Sequence, residues 1–248
     1  VYMENASFMG WYDNPEFEGE RVYAITNMDS GDKEYWAKLQ RTFGVTYETN
    51  GGTIYSGGAV IYTEGVGLEL PNDVRLDSNL FAGWYDNAEL KGTPVTAITR
   101  DDSGDKTYYA AWFKLKMPEL DETDNCYAIS NAAELYGFAA YVNGTHGMSY
   151  WNHPEICGKL TADIVVNENV LKEDGTLDSA NVAKFLPWEI IESFSGKFDG
   201  QGHKISGLYG VAAPKKPMAF FNEIYEGNYD PALQADGPVV IKKVTLED

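Results

Sequence analysis

Asp199 and His203 flank a glycine-rich turn, D-G-Q-G-H, and with Asp163 and Asp174 they are the residues whose types could carry acid–base chemistry. Cleaving a polysaccharide takes two carboxylates at a defined separation, or a carboxylate beside a basic group, often with calcium. An aspartate at a glycine-rich turn more commonly holds backbone N–H groups, and a histidine after it simply starts a strand. The other two histidines, His146 and His153, stand in T-H-G-M-S-Y-W-N-H-P, too far apart for a helical H-x-x-x-H ligand pair. Cys126 and Cys157 lack metal-ligand spacing. They either bond in an oxidising compartment, where closing that loop stabilises the fold by roughly 3–4 kcal/mol, or remain two buried thiols. Nucleophile elbows, phosphate loops and C-x-x-C pairs are missing, and G-F-A-A-Y-V-N-G (137–144) does not open a dinucleotide site. No catalytic, cofactor-binding or metal-ligating residue is therefore assigned, and no enzyme is expected.

The elements around these residues change period along the chain. Asn131 followed by Glu134 is a helix-start signal. Leu135, Phe138, Ala139 and Val142 then form one apolar stripe, and Asn143-Gly144 ends the helix. From Lys159 to Leu171 the period drops to two, with Leu160, Ala162, Ile164 and Val166 on one face. Further short strands are predicted in 188–210, 218–224 and 239–247, separated by glycine turns as in a stacked solenoid.

The first half is written twice. FMGWYDNPEFEGERVYAI (8–25) returns as FAGWYDNAELKGTPVTAI (81–98), and the register holds without a gap from Phe8/Phe81 to Leu39/Trp112, a constant offset of 73. Gly10/Gly83, Trp11/Trp84, Asp13/Asp86, Asn14/Asn87, Gly19/Gly92, Val22/Val95, Ile25/Ile98, the two SGDK turns and Tyr35/Tyr108 recur. Each copy predicts an aromatic strand, a turn, and a second alternating strand. Both tryptophans are expected to fill small cores, and the SGDK turns to be solvated turns without a calcium site. Only the second copy carries an upstream half, TFGVTYETNGG (42–52) and AVIYTEGVGLELP (59–71). Residues 1–40 match its later half alone, as expected of a piece cut from a longer protein.

Bulk numbers narrow the partners. With 38 Asp+Glu against 19 Lys+Arg the net charge is −19, which repels phosphate backbones and anionic membranes, so nucleic acid is excluded as a partner. No run of 18 apolar residues is present, so membrane insertion is not expected, and the first residues do not read as a signal peptide.

V-T-Y-E-T-N-G-G (45–52), L-E-L-P (68–71), F-A-G-W-Y-D-N (81–87) and T-Y-Y-A-A-W (107–112), in that order, resemble the Listeria–Bacteroides repeat, the internalin-type B-repeat. That resemblance implies a small β-grasp-like module, repeated in series on extracellular proteins as spacer or adhesive unit, with no catalytic residues. Separately, YAISNAAELYGFAAYVNG (127–144), LTADIVVN (160–167) and FSGKFDGQGHKISGLY (194–209) resemble the opening of GLUG-type right-handed β-helix surface domains. There a helix caps the open end of the solenoid. Beyond Tyr209, A-P-K-K-P (213–217) and N-Y-D-P-A-L-Q-A-D-G-P (228–238) interrupt the pattern, leaving two or three coils.

The expected architecture is mainly β: small β-grasp-like repeat modules followed by the N-terminal, helix-capped part of a right-handed parallel β-helix. Its parts are a partial repeat (1–40), a complete repeat (41–115), an acidic linker (116–124) and the capped β-helix start (125–248). The expected function is that of a non-catalytic piece of a bacterial cell-surface or secreted protein, its spacer/adhesion modules displaying the β-helix. It needs no cofactor, its partner is a protein or glycan on a host, substrate or neighbouring cell, and its place is extracellular. The alternative is a carbohydrate-binding or polysaccharide-degrading β-helix protein whose active rungs lie beyond residue 248.

Overall fold

The computed structural model describes residues 3–210, 219–224, 240–242 and 245–247. The two interruptions at 213–217 and 228–238 lie outside the described residues. The protein is mainly β, with one α-helix among the described residues and no closed barrel.

Nine strands make the repeated half: β1 (Ala6–Tyr12), β2 (Trp36–Glu48), β3 (Thr53–Ile54), β4 (Ile61–Thr63), β5 (Leu68–Glu69), β6 (Val74–Arg75), β7 (Asn79–Tyr85), β8 (Ala97–Ile98) and β9 (Lys106–Lys114). β1 pairs antiparallel with 36–41 of β2, as β7 does with β9. In both pairs the register slips at the repeated glycine: Gly10 (φ 139°) and Gly83 (φ 105°) sit in bulges that an L side chain rarely adopts. The second copy is completed by its upstream half. Residues 45–48 of β2 run parallel to β9, β4 lies antiparallel on the other side of β2, and the sheet order is β4-β2-β9-β7. The short ladders β3–β6 and β5–β8 close one side over a core of Val45, Tyr62, Leu70, Val74, Trp84, Ile98 and Tyr108. No turn of α-helix crosses it.

β2 belongs to both copies. Its first six residues are the closing strand of the first repeat, and its remainder, from Thr42, is the opening strand of the second. No linker separates the repeats.

The second half comprises β10 (Glu119–Asp121), β11 (Cys126–Ile129), α1 (Ala132–Asn143), β12 (Cys157–Leu160), β13 (Ile164–Val165), a 3-10 turn (Val182–Lys184), β14 (Ile191–Phe194), β15 (Lys197–Asp199), β16 (Lys204–Ser206), β17 (Phe221–Ile224), β18 (Val240–Lys242) and β19 (Thr245–Glu247). β10, within the stretch expected to be a linker, pairs antiparallel with β11. Among the described residues the later strands pair in parallel, in three ladders, β11-β12-β15-β18, β13-β16-β19 and β14-β17, while an isolated Leu171–Leu177 bridge is antiparallel. The chain visits them in the same order on successive passes. Leu160, Ile164, Ile191, Phe194, Phe198 and Ile205 are buried between the ladders. Cys126 and Cys157 are disulfide-bonded beside the first parallel pair, Tyr127 and Gly158.

The helix forms where its caps predict it. The Asn131 side chain accepts from Glu134 N at 3.0 Å, and Gly144 ends α1 in the left-handed region. Its burial departs from a single stripe: Glu134 through Ala140, and Val142, are all buried. The reason is that α1 has layers on two sides. On one side Phe138 packs 5.8 Å from the Phe198 ring, with Gly158 leaving room for it. On the other, Tyr136 meets Phe113 of β9, and Gly137 lies directly against the Lys116 backbone. Lys116 Nζ also donates to Glu134 at 2.7 Å. Leu80 and Leu115 consequently join the core of the second half. At the same offset the first copy has Ser7, Gln40 and Thr42 where the second has Leu80, Phe113 and Leu115, so the sheet turns apolar where the helix covers it.

Ala is the better helix former than Gly by about 0.8–1 kcal/mol. Gly137→Ala is nevertheless expected to destabilise the protein, because its methyl group would enter the Lys116 backbone. Urea denaturation of the two chains decides the sign.

Candidate functional site

The chemically capable residues are held by separate local bonds. Asp163 Oδ1 meets His203 Nδ1 at 3.1 Å and accepts Lys204 N at 3.0 Å, tying the corner before β13 to the start of β16 on the next pass. The Lys204 amide and then His203 hold its carboxyl below the usual range. Asp199 accepts Gln201 N at 3.0 Å, within its own turn, while His203 N donates to Gly200 O. Asp174 fastens Thr176 N and its hydroxyl. The turn thus does not bring Asp199 and His203 onto one another.

His146 and His153 also go separate ways. His146 Nε2 lies 2.7 Å from Glu189, and its backbone oxygen accepts Ser78 N from the repeat. His153 stacks on Tyr141 at 4.4 Å and meets Ser149 at 2.9 Å. Among the described residues no three His, Cys, Asp or Glu side chains come together as a metal site.

The repeated residues lock turns. Asn14 Oδ1 accepts Glu18 N and its amide donates to Glu18 O; Asn87 makes the same two bonds with Lys91. In the SGDK turns Asp102 takes Thr99 N, Thr99 Oγ1 and Lys106 Nζ at 2.7–2.8 Å, and Asp29 repeats this with Thr26 and Lys33. In each turn the lysine is the counter-ion of the aspartate four residues before it.

Residues 43–111 match the Listeria-Bacteroides repeat domain. It is a repeat typical of bacterial surface proteins. No curated protein and no solved structure matches the chain. The match covers the complete copy, whose sheet order and core are described above.

Within that frame the two tryptophans differ. Trp84 is 2% exposed, and its Nε1 donates to Pro71 O at 2.7 Å. Trp11, expected to sit in a matching core, is 39% exposed. Trp84 meets Phe81 of its own strand, but also Tyr47 at 5.1 Å and the Pro71 carbonyl from the upstream half, of which residues 1–40 hold no counterpart.

Two further aromatics escaped the sequence reading. Tyr150 and Trp151, 87% and 69% exposed, meet edge to face at 5.0 Å on the loop after α1. The loop is anchored by His153 N on Val142 O and by the Gly144 backbone against Trp151. Its composition drew attention to histidines, while the signal was the adjacent Tyr-Trp pair on a polar loop.

Trp84→Ala is expected to cost about 3–5 kcal/mol and Trp11→Ala a small fraction of that, read from thermal melts. Lys106 and then Thr99 hold the Asp102 carboxyl down to about 2, below the ordinary value of about 3.9. That stabilisation is complete above about pH 4 and is lost as pH falls towards about 2. Asp102→Asn is therefore expected to lower the urea midpoint at pH 7 and to remove most of the difference between variant and parent at pH 2.

Proposed function

We propose that the repeated half is a pair of fixed spacer modules of a bacterial surface protein, displaying the helix-capped start of a right-handed parallel β-helix. The observation that carries this reading is β2, one strand shared by successive repeats. A spacer needs consecutive units to hold a constant mutual orientation, and a shared strand supplies it without a hinge. The sheet order β4-β2-β9-β7, with its central parallel pair, supports a β-grasp-like module. Three parallel ladders visited in constant order support the β-helix, and parallel crossovers are overwhelmingly right-handed. α1 covers an end that would otherwise leave apolar side chains open. The disulfide supports an extracellular location. A non-catalytic role is supported by the commitment of Asp163, Asp174, Asp199 and His203 to turn and corner bonds.

The second reading is glycan binding. Tyr150 and Trp151 favour it, since exposed aromatic faces stack on sugar rings. A glycan array probed with the full chain, with and without calcium, separates the two. Spacer modules give no specific signal; specific polysaccharide binding that disappears in Trp151→Ala establishes the second reading.

A further inference from the structure

The chain carries 38 acids against 19 bases, yet three bases converge on one cavity of the first repeat. Arg21, Lys38 and Arg41 line a space of about 300 Å³ together with Tyr12, Gln40 and a single acid, Glu64. Elsewhere Lys106 is paired with Asp102, Lys116 with Glu134, and Lys159 with Asp121 and Asp124. Among the described residues no carboxylate lies within ion-pair distance of Arg21, Lys38 or Arg41.

Two of these cations are held in place. Gly10 has no side chain, and Arg21 Cδ lies 2.8 Å from where a Cβ would stand on it. Val22 N donates to Trp11 O at 2.8 Å, which fixes the approach of residue 21 to that bulge. Lys38 Nζ stands 5.4 Å from the centre of the Tyr12 ring and 5.7 Å from that of Phe17, within cation–π reach. The second copy keeps the bulge and drops both charges. At the offset of 73, Arg21 becomes Pro94 and Lys38 becomes Ala111, and Pro94 lies against Gly83 as Arg21 lies against Gly10. The repeat folds without these cations, so its architecture does not account for them.

We propose that this cavity of the first repeat binds a hydroxylated monocarboxylate, a single uronic acid ring. The Arg21 guanidinium is matched to a carboxylate by its two parallel N–H donors, and Lys38 and Arg41 supply further positive charge. Glu64 sets the class of anion. A sulfate or phosphate brings only acceptors and more charge against it, whereas a sugar ring brings hydroxyls that donate to it. The net charge of −19 acts in the same direction, because it opposes a polyanion more than a singly charged ligand. The volume stands at the small end of ligand cavities and suits one ring. The inference holds whether or not the Tyr150–Trp151 loop binds glycan.

Calorimetric titration of the full chain with galacturonate at low ionic strength tests it, with galactose and sulfate titrated in parallel. Galacturonate is expected to bind about tenfold or more tightly than either, and more weakly as salt rises. Arg21→Pro with Lys38→Ala writes the second copy's residues into the first. That exchange is expected to abolish binding and leave the thermal midpoint unchanged. Glu64→Gln is expected to strengthen sulfate binding and shrink the preference for galacturonate. Trigalacturonate identifies the source: tighter binding than the monomer assigns the cavity to a polysaccharide, equal binding to the free sugar acid, and both uphold it. A glycan-array signal confined to uronate-bearing glycans that persists in Trp151→Ala likewise belongs to this cavity. The proposal is overturned if galacturonate does not bind, or if galactose or sulfate binds as tightly. It is equally overturned if binding survives the double exchange or is lost in Trp151→Ala.

Discussion

Everything in the second half depends on α1 being enclosed between two β layers. A helix with one dry face can sit on a surface; a helix dry on both must be matched on both. Phe138 reaches one layer through the space left by Gly158, and Gly137 lets the Lys116 backbone close on the other. Enclosure also forces a choice on Glu134. Burial raises its carboxyl, while bonds from Lys116 and Ser130 outweigh this and hold it ionised and below its ordinary value. That buried ion is tolerable because both its oxygens have donors, Lys116 on one and the Ser130 amide and hydroxyl on the other. The same bonds fix the start of the helix to the end of the repeat.

The repeat itself was legible in the sequence because its determinants are local. A glycine bulge, an Asn clamping the chain four residues on, and a Thr-Asp-Lys turn each act within a few residues, so they look the same in both copies. The helix caps were legible for the same reason. What a single copy packs against is not local. The fate of Trp11 depends on residues outside the segment that contains it, and identical words therefore led to an expectation of identical burial. The enclosure of α1 was written as Ser7/Leu80, Gln40/Phe113 and Thr42/Leu115, substitutions between the copies rather than resemblances. Reading a duplication only for what it retains passes over them.

Candidate residues divide in the same manner. The glycines around Asp199 mark it as a turn holder, and it bonds its own turn; Asp174, which the sequence offers only as a candidate acid, does the same through Thr176. Asp163 and His203 stand 40 residues apart in sequence yet share a bond across neighbouring passes of the chain. Their meeting follows from the register between β13 and β16, which no spacing announces. Cys126 and Cys157 are a further case, since both pairing and separate burial fitted the sequence, and adjacency in the β11–β12 ladder is what unites them.

That disulfide has a mechanical meaning for a molecule loaded end to end. Tension entering from the repeats reaches Cys126 and crosses the sulfur bridge to Cys157 without travelling through the 30 residues between them. α1 lies wholly inside this covalent ring. The helix is thus off the load path: pulling can strain the strands on either side, but it cannot unravel α1 by drawing out its ends until the bridge is reduced.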